Sequence, residues 1–164
     1  MAGAKVVVLE KGPDILSGAS KANSAILHTG FDAPPDSLEL SLIRAGRQEY
    51  LRIHKSLNLP LLETGALVCA WNRNEADRLQ EIAERGVRNG IAPIRLLSAG
   101  EARQIESGLS DKLVAALHVP DEYVIDPWSA PLAYLSQAVT LGTEFYRLCE
   151  VVSGEFNGEW NLHT

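Results

Sequence analysis

The stretch "AKVVVLEKG", residues 4–12, constrains this chain more than any other. Val6, Val7, Val8 and Leu9 form a continuous, mostly β-branched apolar run, and continuous rather than alternating apolarity suits a strand covered on both faces, as in a parallel sheet. Glu10 closes the run at the expected carboxyl end of that strand. In open α/β sheets ligands lie outside those ends, and an acid there can accept hydrogen bonds from ribose hydroxyls. Such an acid follows a phosphate-binding GxGxxG turn by about 20 residues. Only nine residues precede Glu10, and Gly3, Gly12, Gly18 and Gly30 do not have that spacing. The acid is present without its turn.

A length of 164 residues allows one or two domains. Hydrophobic residues at 46% and charged residues at 22% fit a globular chain rather than a disordered one. No apolar run approaches the roughly 20 residues needed to cross a bilayer, and the N-terminus lacks the order of a signal peptide. A formal charge of −6 with scattered basic residues argues against nucleic acid as a partner. Cys69 and Cys149 stand far apart with no CxxC pair, so the expectation is reduced, structural thiols in a cytoplasmic protein.

Along the chain, residues 11–35 form a loop rich in Gly, Ser, Asn and Pro, broken by Ala25-Ile26-Leu27. Asp36 with Glu39 predicts a capped helix to about Asn58, with Leu42, Gly46, Tyr50, Ile53 and Leu57 on its buried face and Arg44, Arg47 and Arg52 on its solvent face. Residues 60–71 predict a strand or a hairpin bent at Gly65. Asn74 predicts the cap of a second helix, striped by Ala76, Leu79, Ile82, Ala83 and Val87 and ending at Asn89-Gly90. Ser98 and Glu101 form a capping box before a short helix, and residues 113–120 predict another strand. Asp126 and Pro127 open a further helix that stops at Gly142, and Asn157-Gly158 signals a type I′ hairpin. The fold class is a mixed α/β arrangement.

Between Gly12 and Gly30 the chain crowds Ser17, Ser20, Lys21, Asn23, Ser24, His28 and Thr29. Hydroxyls, a carboxamide and open backbone N–H groups can donate to a pyrophosphate or ribityl chain without adding an unpaired charge. The same residues also form ordinary turns, and on residue type alone both readings stand. His54, His118 and His163 show no metal-ligand spacing. Trp71, Trp128 and Trp160 are expected in core or interface packing.

"VVVLEKG" followed by "SGASKANSAILHTGFDAPPDSLEL" resembles the FAD-dependent oxidoreductases of the amino-acid oxidase superfamily, in particular the glycerol-3-phosphate dehydrogenase and 2-hydroxyglutarate oxidase branch. "GALVCAW", "LLSAGEARQIES", "ALHVPDEYVIDPW" and "EVVSGEFNGEWNLHT" follow in that family's order. The resemblance implies a partial FAD-binding, Rossmann-like domain at residues 1–58 and 123–164, interleaved at 59–122 with part of a β-rich substrate domain. It implies that Glu10, beside Lys11, accepts from the adenosine ribose, and that Ser17, Ser20, Asn23 and Ser24 line the pyrophosphate and ribityl chain. It places Gly30 in the same cofactor loop and gives Val151 a backbone hydrogen bond to the adenine. His28 is the implied catalytic candidate, near the isoalloxazine ring, where it tunes the flavin or positions a substrate hydroxyl.

The implied reaction oxidises a small secondary alcohol by hydride transfer to the flavin, with glycerol 3-phosphate first and a 2-hydroxy acid second. The family's opening strand, its glycine turn and its later half have no counterpart in the chain. The expectation is therefore that the chain alone does not retain stoichiometric FAD, and that the open edge at Val6–Leu9 makes it self-associate. The alternative expectation is a flavin-free, inactive remnant serving as an oligomeric or binding module.

Overall fold

The computed structural model describes residues 3–164. In chain order the elements begin with β1 (Val7–Glu10), a 3-10 turn at Ala19–Lys21, β2 (Ile26–Leu27), α1 (Leu38–Ile53), β3 (Leu61–Leu62), β4 (Ala66–Ala70) and α2 (Arg73–Arg88). They continue with β5 (Arg95–Ser98), α3 (Ala99–Ile105), β6 (Ala115–Val119), β7 (Tyr123–Ile125), α4 (Ser129–Thr140), β8 (Glu144–Arg147), β9 (Ser153–Phe156) and β10 (Trp160–His163). This is the mixed α/β content expected. By internal packing the chain forms two units, residues 1–24 with 126–164, and residues 25–125.

In the first unit β1 pairs in parallel with β8, from Val7 opposite Glu144 to Glu10 opposite Arg147. The pairing continues past the strand ends, because Cys149 N donates to Glu10 O at 3.0 Å and Leu148 N to Gly12 O at 3.1 Å. β1 is not covered on both faces as its apolar run predicts. Among the described residues β8 is its sole strand neighbour, and Val7 is 53% exposed. α4 starts two residues later than predicted, at Ser129, but Asp126 does organise its start by accepting from Trp128 N at 2.9 Å and from Ser129 Oγ at 2.6 Å. Gly142, at φ +97°, stops the helix in the left-handed region. β9 and β10 form the expected hairpin with Phe156 opposite Trp160, so the loop holds three residues. Gly158 is left-handed there and Asn157 is not, which rules out the type I′ turn.

In the second unit β4, β6 and β5 make an antiparallel sheet, with β6 central. Side chains alternate across it. Val68, Ala70, Leu117 and Val119 face α2 and pack with Phe31, Leu79, Ile82 and Ala83. Leu67, Cys69, Ala116 and Leu97 face the other way, toward Ala102, Leu109 and Leu113. Each fully buried leucine or valine, such as Leu117 and Val119, stabilises the fold by about 1.5–3 kcal/mol. A smaller antiparallel sheet orders β2, β7 and β3. Gly65, at φ +70°, does bend the chain, yet β3 and β4 enter different sheets and form no hairpin.

The starts of two helices differ from expectation because a different residue caps each. Ser37, not Asp36, caps α1 by accepting from Leu40 N at 3.1 Å, and Asp36 lies outside the helix at φ +57°. Tyr50 and Ile53 are buried as expected, joined by Leu40, while Leu42 is exposed. Asn72, not Asn74, caps α2 through Glu75 N at 3.0 Å; Leu79 is buried as expected, along with Gly86, and Val87 is exposed. The Ser98–Glu101 capping box is present as expected. Trp71, Trp128 and Trp160 are all exposed and take no part in the core.

Candidate functional site

Glu10 closes β1, and the chain turns back on it at once. Its Oε1 accepts from Gly12 N at 2.6 Å, while Oε2 has no partner among the described residues. The approach at Gly12 is close: a Cβ there would lie 2.7 Å from Ser17 Oγ and 3.1 Å from Glu10 Oε1 and would displace those side chains. Glu10, Lys11, Gly12, Ser17 and Ser20 line a cleft of about 440 Å³ beside this turn. Ser17 Oγ donates to Asp14 O at 2.7 Å, and Asn23 Nδ2 donates to Ser20 O at 2.8 Å, so the loop is held by its own side chains. Lys11 Nζ stands 4.0 Å from Glu150 Oε1 with both side chains exposed, a pairing of little strength. Asn23 and Ser24 lie further along the loop, outside the cleft walls. Val151 is exposed in the link between β8 and β9 and is not part of the cleft.

His28 and Gly30 belong to the other packing unit, where a second constellation surrounds Glu122. The Glu122 carboxylate is buried. Its Oε1 accepts from Thr29 N and from Thr29 Oγ1, both at 2.6 Å, and its Oε2 lies 2.9 Å from His28 Nδ1. A buried carboxylate is tolerated only when donors surround it, and these three supply them. Glu122 Oε2 stands where it can accept from Nδ1–H, a contact that favours the tautomer protonated at that nitrogen. The ring itself stays partly exposed, at 43%.

Asn89 braces the chain that follows His28, its Nδ2 donating to Gly30 O at 2.8 Å and Ala33 O at 2.9 Å. Gly30 takes φ +86° in that segment, with Leu40 Cδ1 only 2.8 Å from where a Cβ would be. The sequence marks neither Glu122 nor Asn89 as functional. One looks like a turn residue and the other like a helix end.

Two further side chains have shifted ionisation. Burial, and then the charge of Arg95, hold the His118 imidazole below its ordinary range, and its buried Nδ1 has no hydrogen-bond partner among the described residues. Burial pushes the Cys69 thiol up, which disfavours its thiolate. Cys69 and Cys149 are both free thiols.

The family profile described as "FAD dependent oxidoreductase" (DAO) matches residues 1–164. The glycerol 3-phosphate dehydrogenase of Caloramator mitchellensis is 31% identical over 150 residues, which cover 92% of this chain and 31% of that protein. The L-2-hydroxyglutarate dehydrogenase of Indibacter alkaliphilus is 28% identical over 151 residues, covering 92% of this chain and 37% of that one. Among solved structures, dithionite-reduced L-α-glycerophosphate oxidase from Mycoplasma pneumoniae with FAD bound matches at TM-score 0.83 and 25% identity, covering 96% of this chain and 42% of that chain. Glycine oxidase from Bacillus cereus matches in fold at TM-score 0.84 and 23% identity, covering 95% and 43%. The chain thus spans between 31% and 43% of the length of these four proteins.

Proposed function

The chain belongs to the FAD dependent oxidoreductase family, and we propose that it is the part of such an enzyme that grips the adenosine end of FAD and presents His28 to a secondary alcohol. One observation carries the reading. Glu10 ends a parallel strand with one carboxylate oxygen pinned by Gly12 N at 2.6 Å and the other uncommitted, at the mouth of a cleft walled by Ser17 and Ser20.

These residues fit the cofactor's ribose and phosphates. A carboxylate acceptor suits ribose hydroxyls, hydroxyls and backbone N–H groups suit phosphate oxygens, and a side chain at position 12 would close the space. Glu10 would hold the ribose, Ser20 and, on turning its hydroxyl away from Asp14 O, Ser17 the pyrophosphate, and Asn23 and Ser24 the chain leading on from it. Lys11 would add positive charge at the rim, Gly30 would keep the loop close, and Val151 would offer its backbone to the adenine. FAD, when bound, supplies the hydride acceptor. His28, its ring oriented by Glu122 at Nδ1, would accept or position the substrate hydroxyl proton.

In terms of task, residues 1–58 and 123–164 serve the cofactor and 59–122 the substrate, a division that the packing units cut across. Glycerol 3-phosphate is the first substrate proposed, supported by the name of the relative at 31% identity, and a 2-hydroxy acid is the second. Two unpaired thiols support a cytoplasmic location. Among the described residues no helix is long and apolar enough to cross a membrane. The exposed valines of β1 support self-association of the chain. ADP, which carries the ribose and pyrophosphate without the flavin, tests the cleft: it should shift the amide resonances of Gly12 and residues 17–20, and a shift that survives Glu10→Ala unchanged would contradict the assignment.

A further inference from the structure

We propose that the cleft between α1 and the residues following α2 is an oxyanion site, built by Arg44 and Arg47 to take a phosphate group. The cleft encloses about 410 Å³, and Arg44, Arg47, Gln48, Gly90 and Asp121 contribute to its walls. It lies wholly within residues 25–125, so it stands whether or not the cofactor reading does.

The helix spacing predicts Arg44, Arg47 and Arg52 on the solvent face; Arg44 and Arg52 are exposed, Arg52 pairing with Glu49, and Arg47 is half-buried. Arg44 and Arg47 instead reach other elements. Arg44 Nη2 donates to Asn89 O, and Arg47 Nη1 donates to Leu27 O at 2.8 Å. The Arg47 guanidinium also lies over the Tyr123 ring, 4.5 Å from its centroid. Each tether uses one N–H of the guanidinium fork and fixes its direction, so little side-chain entropy remains to be lost when a ligand binds.

Two cations at i and i+3 on one helix repel each other, and an acid normally offsets them. Here none does. Among the described residues the ion pairs are Lys11–Glu150, Lys21–Asp14, His28–Glu122 and Arg52–Glu49, and none involves Arg44, Arg47 or Asp121. Two held guanidiniums in a concavity, neither ion-paired with a carboxylate among the described residues, present the paired N–H edges that bind phosphate oxygens. Gln48 adds an amide donor. Gly90, at φ +68°, makes room for the fork, since a Cβ there would stand 3.4 Å from Arg44 Nη2. Asp121 gives the walls one carboxylate against two guanidiniums, which matches a phosphate that carries a proton or an alcohol hydroxyl for it to accept.

The test is an NMR titration of the chain with inorganic phosphate at constant ionic strength, chloride balancing the salt. The Nε–H signals of Arg44 and Arg47 and the amide of Gly90 should shift saturably. Glycerol 3-phosphate in a second arm tells an esterified phosphate from the free anion, and binding of either supports the site. Arg44→Gln and Arg47→Gln should each weaken binding about tenfold or more. Because both arginines also tie elements together, Gln48→Glu provides a variant that keeps the tethers and places a negative charge in the cleft; it too should weaken binding about tenfold, with an unchanged circular dichroism spectrum. Shifts that chloride alone reproduces, or wild-type phosphate affinity in folded Gln48→Glu, would overturn the proposal.

Discussion

His28 Nδ1 lies 2.9 Å from Glu122 Oε2 across 94 residues of sequence. Strand register brings them together: β2 pairs antiparallel with β7, Leu27 opposite Tyr123, so the next residue of one strand meets the preceding residue of the other. Thr29 then closes on the second carboxylate oxygen with both its N–H and its hydroxyl. One short ladder therefore positions the imidazole, buries the acid and satisfies it.

Glu122→Gln keeps the shape and removes the charge. The donors from Thr29 lose a carboxylate acceptor, and the fold should lose about 1.5–3 kcal/mol in urea unfolding. The ring nitrogens of His28 should also move, because the Nδ1–H tautomer is no longer favoured. Nitrogen-15 shifts of His28 identical to the wild type would show that Glu122 does not set the tautomer.

Gly30→Ala should destabilise the chain although alanine is normally the stiffer and safer residue. The position needs φ +86°, and the new methyl would meet Leu40 Cδ1 at 2.8 Å. Strain of about 1–3 kcal/mol outweighs the few tenths to one gained from a less flexible unfolded chain. A melting temperature equal to or above the wild type would contradict this.

His118 makes stability depend on mild acid. Its folded pKa lies below its ordinary value of 6.5, from burial first and Arg95 second, so the unfolded chain binds the proton more readily. The contribution is complete above about pH 6.5 and is lost as pH falls from there toward the lower folded value. His118→Gln should flatten that part of the stability profile, measured by urea unfolding between pH 5 and 8 (about the span over which histidine titrates). An unaltered slope would assign the loss to other groups.

The edge at β1 should promote association. Val6 and Val7 are about half exposed beside a strand with one ladder neighbour among the described residues, at 47% and 53%. Light scattering at micromolar concentration should report species larger than one chain, and Val7→Lys should return them to monomer. A strictly monomeric wild type would refute it.

Local features with a short-range mechanism were legible in the sequence: the Ser98–Glu101 box, the helix stop at Gly142, the strand ending on Glu10 and the bend at Gly65. Cap residues one or two positions away were not, because Ser37 and Asp36, or Asn72 and Asn74, differ in the backbone they adopt rather than in chemistry. The Glu10 cleft was legible through its glycine and serines. The acid beside His28 was not, since its place follows from the pairing of β2 with β7, and two strands of two and three residues carry too little pattern to announce each other. The tethers of Arg44 and Arg47 were hidden for the same reason: spacing along α1 gives a face, not the carbonyls that wait beyond it.

Equilibrium binding of FAD, followed by flavin fluorescence in wild-type chain and in Glu10→Ala, tests the central claim most directly. Glu10 is half-buried at the strand end and its carboxylate accepts from Gly12 N, so circular dichroism must verify that the variant keeps the fold. The account predicts weak, saturable binding by the wild type that ADP competes away, no stoichiometric flavin surviving gel filtration, and loss of about tenfold or more in affinity when the carboxylate is removed. Equal affinity in the two proteins, or no binding competed by ADP in either, would contradict it.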